Sequence, residues 1–381
     1  MADAIDTKAV HAGEPDPRPG GAIAMPIFQS STFETTDVQS YHDVRYARLS
    51  NTPNHLALHA KLAALENAEA ALVTASGMAA IATTLLTVLH AGDHVLFQRV
   101  LYGGTRGLAD HDFPALGLSF DLLDPAAPES WSGQVRPNTR AVYVETIANP
   151  TVEVPDHDAV VAFARRHGLV SVVDNTFASP VNFRPAEHGY DLSVHSATKY
   201  LNGHSDLIAG AIIGRGELVA KIKTKLDHLG GSLDPHACFL LHRGLKTLPL
   251  RVRQQNANAL RIATWLERHP AVERVNYPGL PSSPSHERAR RTLDGFGGML
   301  SFVPRDGLEA ARRFCSKLRL AIFAPSLGGV ETLVTRPAET SHSSLPRQDR
   351  EALGIPDGLV RVSVGIEDAD DLIADFDAAL V

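Results

Sequence analysis

The chain has 381 residues, room for two or three domains at ~150 residues each, and 44% apolar against 21% charged residues is the balance of a globular protein with a large core. A net charge of −7 gives no support to nucleic acid as a partner, and two cysteines, Cys238 and Cys315, are too few for a disulfide framework or a structural zinc site. The longest apolar run, Ile81 to Leu89, carries three threonines and is too short to span a membrane; the first residues show no apolar leader, so a soluble protein of the reduced cytoplasm is expected.

The first 50 residues are rich in Pro, Gly and Ser without a sustained period, and residues 1–54 are read as an arm. Met25 to Phe33 reads as part of an extended arm, and a second subunit is the surface such an arm would lie on. From residue 55 the pattern changes. Leu56, Leu62 and Leu65 mark a helix, Ala71 to Thr74 a strand, and Ser76-Gly77 opens a helix over Met78 to Leu89. Strand-like runs follow at His94 to Phe97, Ala141 to Val144, Leu169 to Val173, Leu192 to Val194 and Ala211 to Ile213, with helices such as Asp158 to His167 between them. Short apolar strands alternating with helices predict an α/β fold with a mainly parallel sheet covered on both faces, over residues 55–245. Residues 246–381 loosen into a smaller α+β domain: a long helix near Pro249 to Arg268, Val272 to Tyr277, strands at Gly298 to Phe302 and Leu359 to Val364, and helices at Leu308 to Lys317 and Ala369 to Leu380.

Ligands of open α/β sheets gather at the carboxyl ends of the strands, so the polar residues there carry the functional reading. Asp174-Asn175-Thr176 follows Val173, and His195-Ser196-Ala197-Thr198-Lys199 follows Val194. Ser76, Gly77 and Met78 place backbone N–H groups at a helix N-terminus, where the dipole favours an anion. The hydroxyls of Ser196 and Thr198 can donate to phosphate oxygens, and Tyr102, after the strand ending at Phe97, offers a ring to stack on a ligand. An anion cradle, an amine, a carboxylate and a flat aromatic are what a pyridoxal-phosphate (PLP) site requires. A metal hydrolase using His195, His204 and Asp206 is the weaker reading, because their spacing gives no clear ligand set.

Here the sequence resembles the Cys/Met-metabolism family of PLP-dependent enzymes, from Thr7-Lys8-Ala9-Val10-His11-Ala12-Gly13 to Arg361-Val362-Ser363-Val364-Gly365-Ile366-Glu367-Asp368. Its most specific stretch is Asp174-Asn175-Thr176-Phe177-Ala178-Ser179-Pro180, then Ser196-Ala197-Thr198-Lys199-Tyr200, with Asp174 and Lys199 spaced 25 residues apart. The resemblance implies the type I, aspartate-aminotransferase-like fold with a seven-stranded sheet, and pyridoxal 5'-phosphate as cofactor. It implies that Lys199 holds the cofactor as a Schiff base and shuttles protons, and that Asp174 pairs with the pyridinium nitrogen. Gly77 and Met78, with Ser76, Ser196 and Thr198, would take the phosphate, and Tyr102 would stack on the ring. Asn149 would lie near the cofactor's phenolic oxygen, Arg361 would grip the substrate carboxylate, and Ser326 would orient the lysine. Tyr46 and Arg48 would reach the phosphate of the neighbouring subunit, which implies a homodimer with shared sites; the family commonly pairs dimers into homotetramers.

The family's reactions differ in leaving group and in whether a thiol adds back. Gly104 stands where methionine γ-lyases carry a cysteine, and Pro325 where many cystathionine γ-lyases carry a glutamate. Ser50-Asn51-Thr52-Pro53 and Leu229 to His236 are further departures at the substrate side. The leading expectation is γ-elimination from L-cystathionine or a related γ-substituted amino acid, giving cysteine, 2-oxobutanoate and ammonia. The alternative is γ-replacement on an activated homoserine, as in cystathionine γ-synthase. Methionine γ-lyase, cystathionine β-lyase and a PLP-binding protein with little turnover rank below these.

Overall fold

A computed structural model describes residues 4–36, 38–41, 44–343 and 345–381. Strands β1 (Ala70–Thr74), β2 (His94–Gln98), β3 (Ser119–Leu123), β4 (Thr139–Glu145), β5 (Val170–Asp174), β6 (Leu192–Ser196) and β7 (Gly210–Gly214) form one seven-stranded sheet in the order β1-β7-β6-β5-β4-β2-β3. β7 runs antiparallel to β1 and β6; every other pairing is parallel. Side chains alternate between two apolar layers. Along β4, Val142 and Val144 join Leu58, Leu62 and Leu65 of helix Pro53–Glu66, whereas Ala141 and Tyr143 join Ile81 and Leu85 of helix Gly77–Val88. With both faces covered, the strands carry unbroken apolar runs, and each fully buried Val, Leu, Ile or Phe contributes about 1.5–3 kcal/mol.

The second sheet contains β8 (Val272–Asn276), β9 (Met299–Pro304), β10 (Ile322–Phe323), β11 (Leu333–Thr335) and β12 (Val360–Ser363), in the order β10-β11-β12-β9-β8. Leu300, Phe302, Val360 and Val362 pack on Phe314, Phe376 and residues Ile262 and Leu266 of helix Leu248–Arg268. The chain thus has the expected α/β architecture with a smaller second sheet domain.

Local differences have physical causes. Helix His157–His167 starts one residue before the expected Asp158, because the side chain of Asp156 caps it by accepting from the Ala159 N–H at 3.1 Å. The amino-terminal arm is not wholly extended: Ile5–His11 is a helix, pinned where the buried Lys61 Nζ donates to the carbonyls of Ala9 (2.9 Å) and Val10 (3.3 Å). Residues 1–3, 37, 42 and 43 of that arm lie outside the described residues.

Candidate active site

Parallel pairing brings three strand ends level. Glu145 on β4 is the register partner of Asp174 on β5, and Asp174 that of Val194 on β6. A cavity of ≈ 640 Å³ opens at these ends, closed on the far side by residues 325–327, Thr340, Ser341 and Arg361. Of the residues expected to form a site, Ser76, Gly77, Met78, Tyr102, Asn149, Asp174, Ser196, Thr198, Lys199, Ser326 and Arg361 all line it. Tyr46 and Arg48 do not line the cavity of their own chain; Arg48 donates to the Asp227 carbonyl (2.6 Å) and the Tyr41 hydroxyl (2.7 Å). The alternative metal set is not assembled. His195 faces Glu66 at 2.6 Å, His204 contacts the Asn202 carbonyl, and Asp206 accepts from the Asn202 side chain.

Helix Gly77–Val88 turns its amino end to the cavity. The Ala79 N–H is taken by the Ser76 hydroxyl oxygen (3.1 Å) and the Ala80 N–H by the Ser76 carbonyl (3.1 Å). That leaves the Gly77 and Met78 N–H groups ahead of the first intrahelical bond, free for an anion. A Cβ at Gly77 would stand 2.8 Å from the Ser196 Cβ, so only a bare backbone lets the helix end approach that serine. The Thr198 hydroxyl already donates to the Ala209 carbonyl (3.2 Å) and accepts the Ala209 N–H (3.0 Å). Of the two hydroxyl residues, Ser196 is therefore the better placed for a phosphate.

Lys199 Nζ donates to the Ser326 hydroxyl at 2.7 Å. Burial, helped by the nearby Arg361 charge, pulls this amine down to about 8. Ser326 holds a positive φ of 85°, a conformation costing ~1–3 kcal/mol for a residue with a side chain. It is fixed from two sides, by Lys199 at its hydroxyl and by Arg361 Nη2 at its carbonyl (3.1 Å). Arg361 lies within β12, and its Nη1 donates to Asn149 Oδ1 at 3.0 Å. Its Nε is buried and, among the described residues, has no partner. Burial lowers this guanidinium to about 10.

Asp174 accepts from the Thr176 N–H (3.0 Å) and the Tyr143 hydroxyl (3.2 Å). Burial raises its carboxyl above the usual range, and the Thr176 hydrogen bonds offset only part of that. Glu145 was legible in the sequence only as a strand end, yet it lines the cavity. One of its oxygens accepts the Tyr102 N–H (2.5 Å) and the other the Asn149 N–H (2.9 Å). Burial and then the Asp174 charge push it up to about 8.

The cavity fits a phosphorylated pyridine aldehyde: two bare N–H groups beside Ser196 for the phosphate, an amine of lowered pKa, and a buried carboxyl that a ring cation would stabilise. A sheet presenting such a set at its strand ends has the inventory of a PLP-dependent enzyme of the aminotransferase-like fold. The profile of the Cys/Met metabolism PLP-dependent enzymes matches residues 6–381, and the chain belongs to that family of carbon–sulfur lyases. It is 42% identical to the L-methionine gamma-lyase of Pseudomonas putida, over 98% of this chain and 96% of that protein. It is 40% identical to the cystathionine gamma-lyase of Bacillus subtilis, over 98% of each. The crystal structure of cystathionine gamma-lyase from Lactobacillus plantarum complexed with L-serine superposes with a TM-score of 0.94 at 37% identity, covering 99% of this chain and 98% of that one.

Proposed function

We propose that this PLP-dependent lyase catalyses γ-elimination from L-cystathionine or a related γ-substituted amino acid, releasing a thiol, 2-oxobutanoate and ammonia. The observation that carries an amino-acid substrate is the buried Arg361 Nε, without a partner among the described residues, on the wall of a cavity that also holds a lysine amine. A buried guanidinium in that state calls for a carboxylate.

The cofactor supplies an electron sink that makes the α-hydrogen of a bound amino acid removable. Lys199 would hold that group and, at about 8, keeps a neutral fraction near pH 7 that can accept a proton from Cα; once it has handed that proton on, the amine would again be free to take one from Cβ, as γ-elimination requires. Ser326 orients the amine through the 2.7 Å contact. Arg361 grips the α-carboxylate, with Asn149 and the Ser326 carbonyl holding its other donors. Asp174 would support the ring nitrogen, Gly77, Met78, Ser76, Ser196 and Thr198 would hold the phosphate, and Tyr102 would cover the ring; all of them line the cavity. Tyr46 and Arg48, placed on the arm and away from their own cavity, fit a contribution to a partner's site in a homodimer, and the family resemblance extends this to dimers paired into a homotetramer. The division into arm (1–54), large domain (55–245) and carboxyl-terminal domain (246–381) belongs to this reading, as does a cytoplasmic setting, to which the two unpaired cysteines are suited.

A second reading, methionine as substrate, has its own support. Beyond Arg361 the walls include Ile147, Phe177, Ile208, Pro325 and Leu327, which suit an uncharged γ-substituent. One assay separates the readings: the holoenzyme is given L-cystathionine, L-methionine, or O-acylhomoserine with cysteine. Cysteine and 2-oxobutanoate from the first support the proposal. Methanethiol from the second alone moves the assignment to methionine, and cystathionine from the third alone makes the protein a γ-replacement enzyme.

A further inference from the structure

We propose that Glu145 is a positioning residue that latches the ring-covering Tyr102 and the carboxylate-binding Asn149–Arg361 pair to one rigid strand end. The inference rests on the PLP reading of the site and adds a residue to it. Tyr102 and Asn149 sit on separate loops, after β2 and β4, and neither loop is held at these points by strand pairing. The two oxygens of Glu145 take one backbone N–H from each, at 2.5 Å and 2.9 Å, and Asn149 Oδ1 in turn receives Arg361 Nη1 at 3.0 Å. Glu145 itself is seated by β4, where its own N–H donates to Gln98 Oε1 at 3.2 Å.

Packing alone gives no reason for a carboxylate here. Glu145 is 3% exposed and stands across the sheet from a second buried acid, Asp174. Burial and that neighbour both penalise its charge, so what favours a carboxyl here is the pair of N–H groups it accepts. Two acceptor oxygens on one side chain are what two converging N–H donors require. Glutamine keeps the shape but presents one acceptor and one donor, so one latch opens.

The test titrates apoenzyme with pyridoxal 5'-phosphate, following cofactor fluorescence and visible circular dichroism. Glu145→Gln should weaken cofactor binding about tenfold and reduce the dichroism of the bound ring. In a Tyr102→Ala/Asn149→Ala background, which removes both positioned side chains but keeps both N–H groups, the same change should cost less than twofold. An equal loss in both backgrounds would show that Glu145 acts on the fold at large, and unchanged affinity with unchanged dichroism would overturn the latch outright. If Glu145→Gln does not fold, amide exchange in the unsubstituted protein decides: protected Tyr102 and Asn149 amides support the latch, and exchange at the free-peptide rate refutes it. A parent protein that takes up no cofactor would sink the PLP reading, while the exchange measurement would still judge the latch.

Discussion

Arg361→Met asks whether this guanidinium serves the ligand or the fold. The side chain is 4% exposed, and burial pulls it well below the ordinary guanidinium value, to about 10. A cation whose folded pKa lies below its unfolded value weighs against folding at every pH below that folded value, so the whole cost is present at pH 7. At ~1.4 kcal/mol for each factor of ten, it comes to about 3 kcal/mol. Against it stand two hydrogen bonds, to Asn149 Oδ1 and the Ser326 carbonyl. Both residues line the cavity, so water can replace the lost donors. The two sides nearly cancel, and apoenzyme stability should change by no more than about 1 kcal/mol. The substrate side has no such offset. An α-carboxylate left without its buried partner loses about 3–5 kcal/mol, a fall of roughly 100- to 5,000-fold in kcat/KM for every amino-acid substrate. Urea unfolding of the apoenzyme and steady-state kinetics of the holoenzyme measure the two halves. Destabilisation by several kcal/mol would make Arg361 a pillar of the fold, and kcat/KM within threefold of the parent would remove it from the site.

Because burial brings Lys199 down to about 8, its neutral, nucleophilic form grows as pH rises through that value; covalent uptake of pyridoxal 5'-phosphate by apoenzyme should accelerate from pH 6 and level off above about 8, with none in Lys199→Arg. A rate independent of pH over that range would contradict the assignment. Mixing a Tyr46→Phe/Arg48→Ala variant with Lys199→Ala should regenerate active sites after subunit exchange, and no recovery in exchanged dimers would count against a site completed in trans. A Cβ at Gly104 would stand 2.5 Å from Tyr102 Cε1 and 2.8 Å from Met78 Sδ, so Gly104→Cys should displace the ring and lower kcat/KM on all substrates; selective gain of methionine turnover would refute that steric account.

The sheet was legible because six of its seven strands are buried along most of their length and therefore carry apolar runs such as Val95-Leu96-Phe97 and Val142-Tyr143-Val144. β3, Ser119–Leu123, was not, since this edge strand is only partly buried and its Ser-Phe-Asp-Leu-Leu shows no run of that kind. The helix Ile5–His11 was hidden for a different reason. It is held by Lys61 and by the Asp6–Arg253 ion pair, contacts with residues far along the chain. At the site, Lys199, Asp174 and the Gly77 loop could be found from strand ends and small residues. Arg361 and Ser326 became visible only through the family resemblance, because one is an arginine inside an apolar strand and the other owes its place to a positive φ. Glu145 showed only as the end of a strand, because its partners are a loop 43 residues earlier and the turn four residues later.

The charge pattern of the cavity limits what can fill it. Lys199 and Arg361 are shifted down and Asp174 and Glu145 up, each with burial as the leading cause, so every one of the four is pressed toward its neutral form. Among the described residues none of them forms an ion pair with another; their partners are the Ser326 and Tyr143 hydroxyls, carbonyl and amide oxygens, and backbone N–H groups. A fold selected for stability alone would pair such groups or replace them. Here the acids end β4 and β5 while Arg361 stands on β12, across the cavity wall. A neutral ligand would leave both sides uncompensated. A ligand with a cation at the Asp174 side and a carboxylate at the Arg361 side relieves both, and a protonated pyridine ring joined to an amino acid has that distribution of charge.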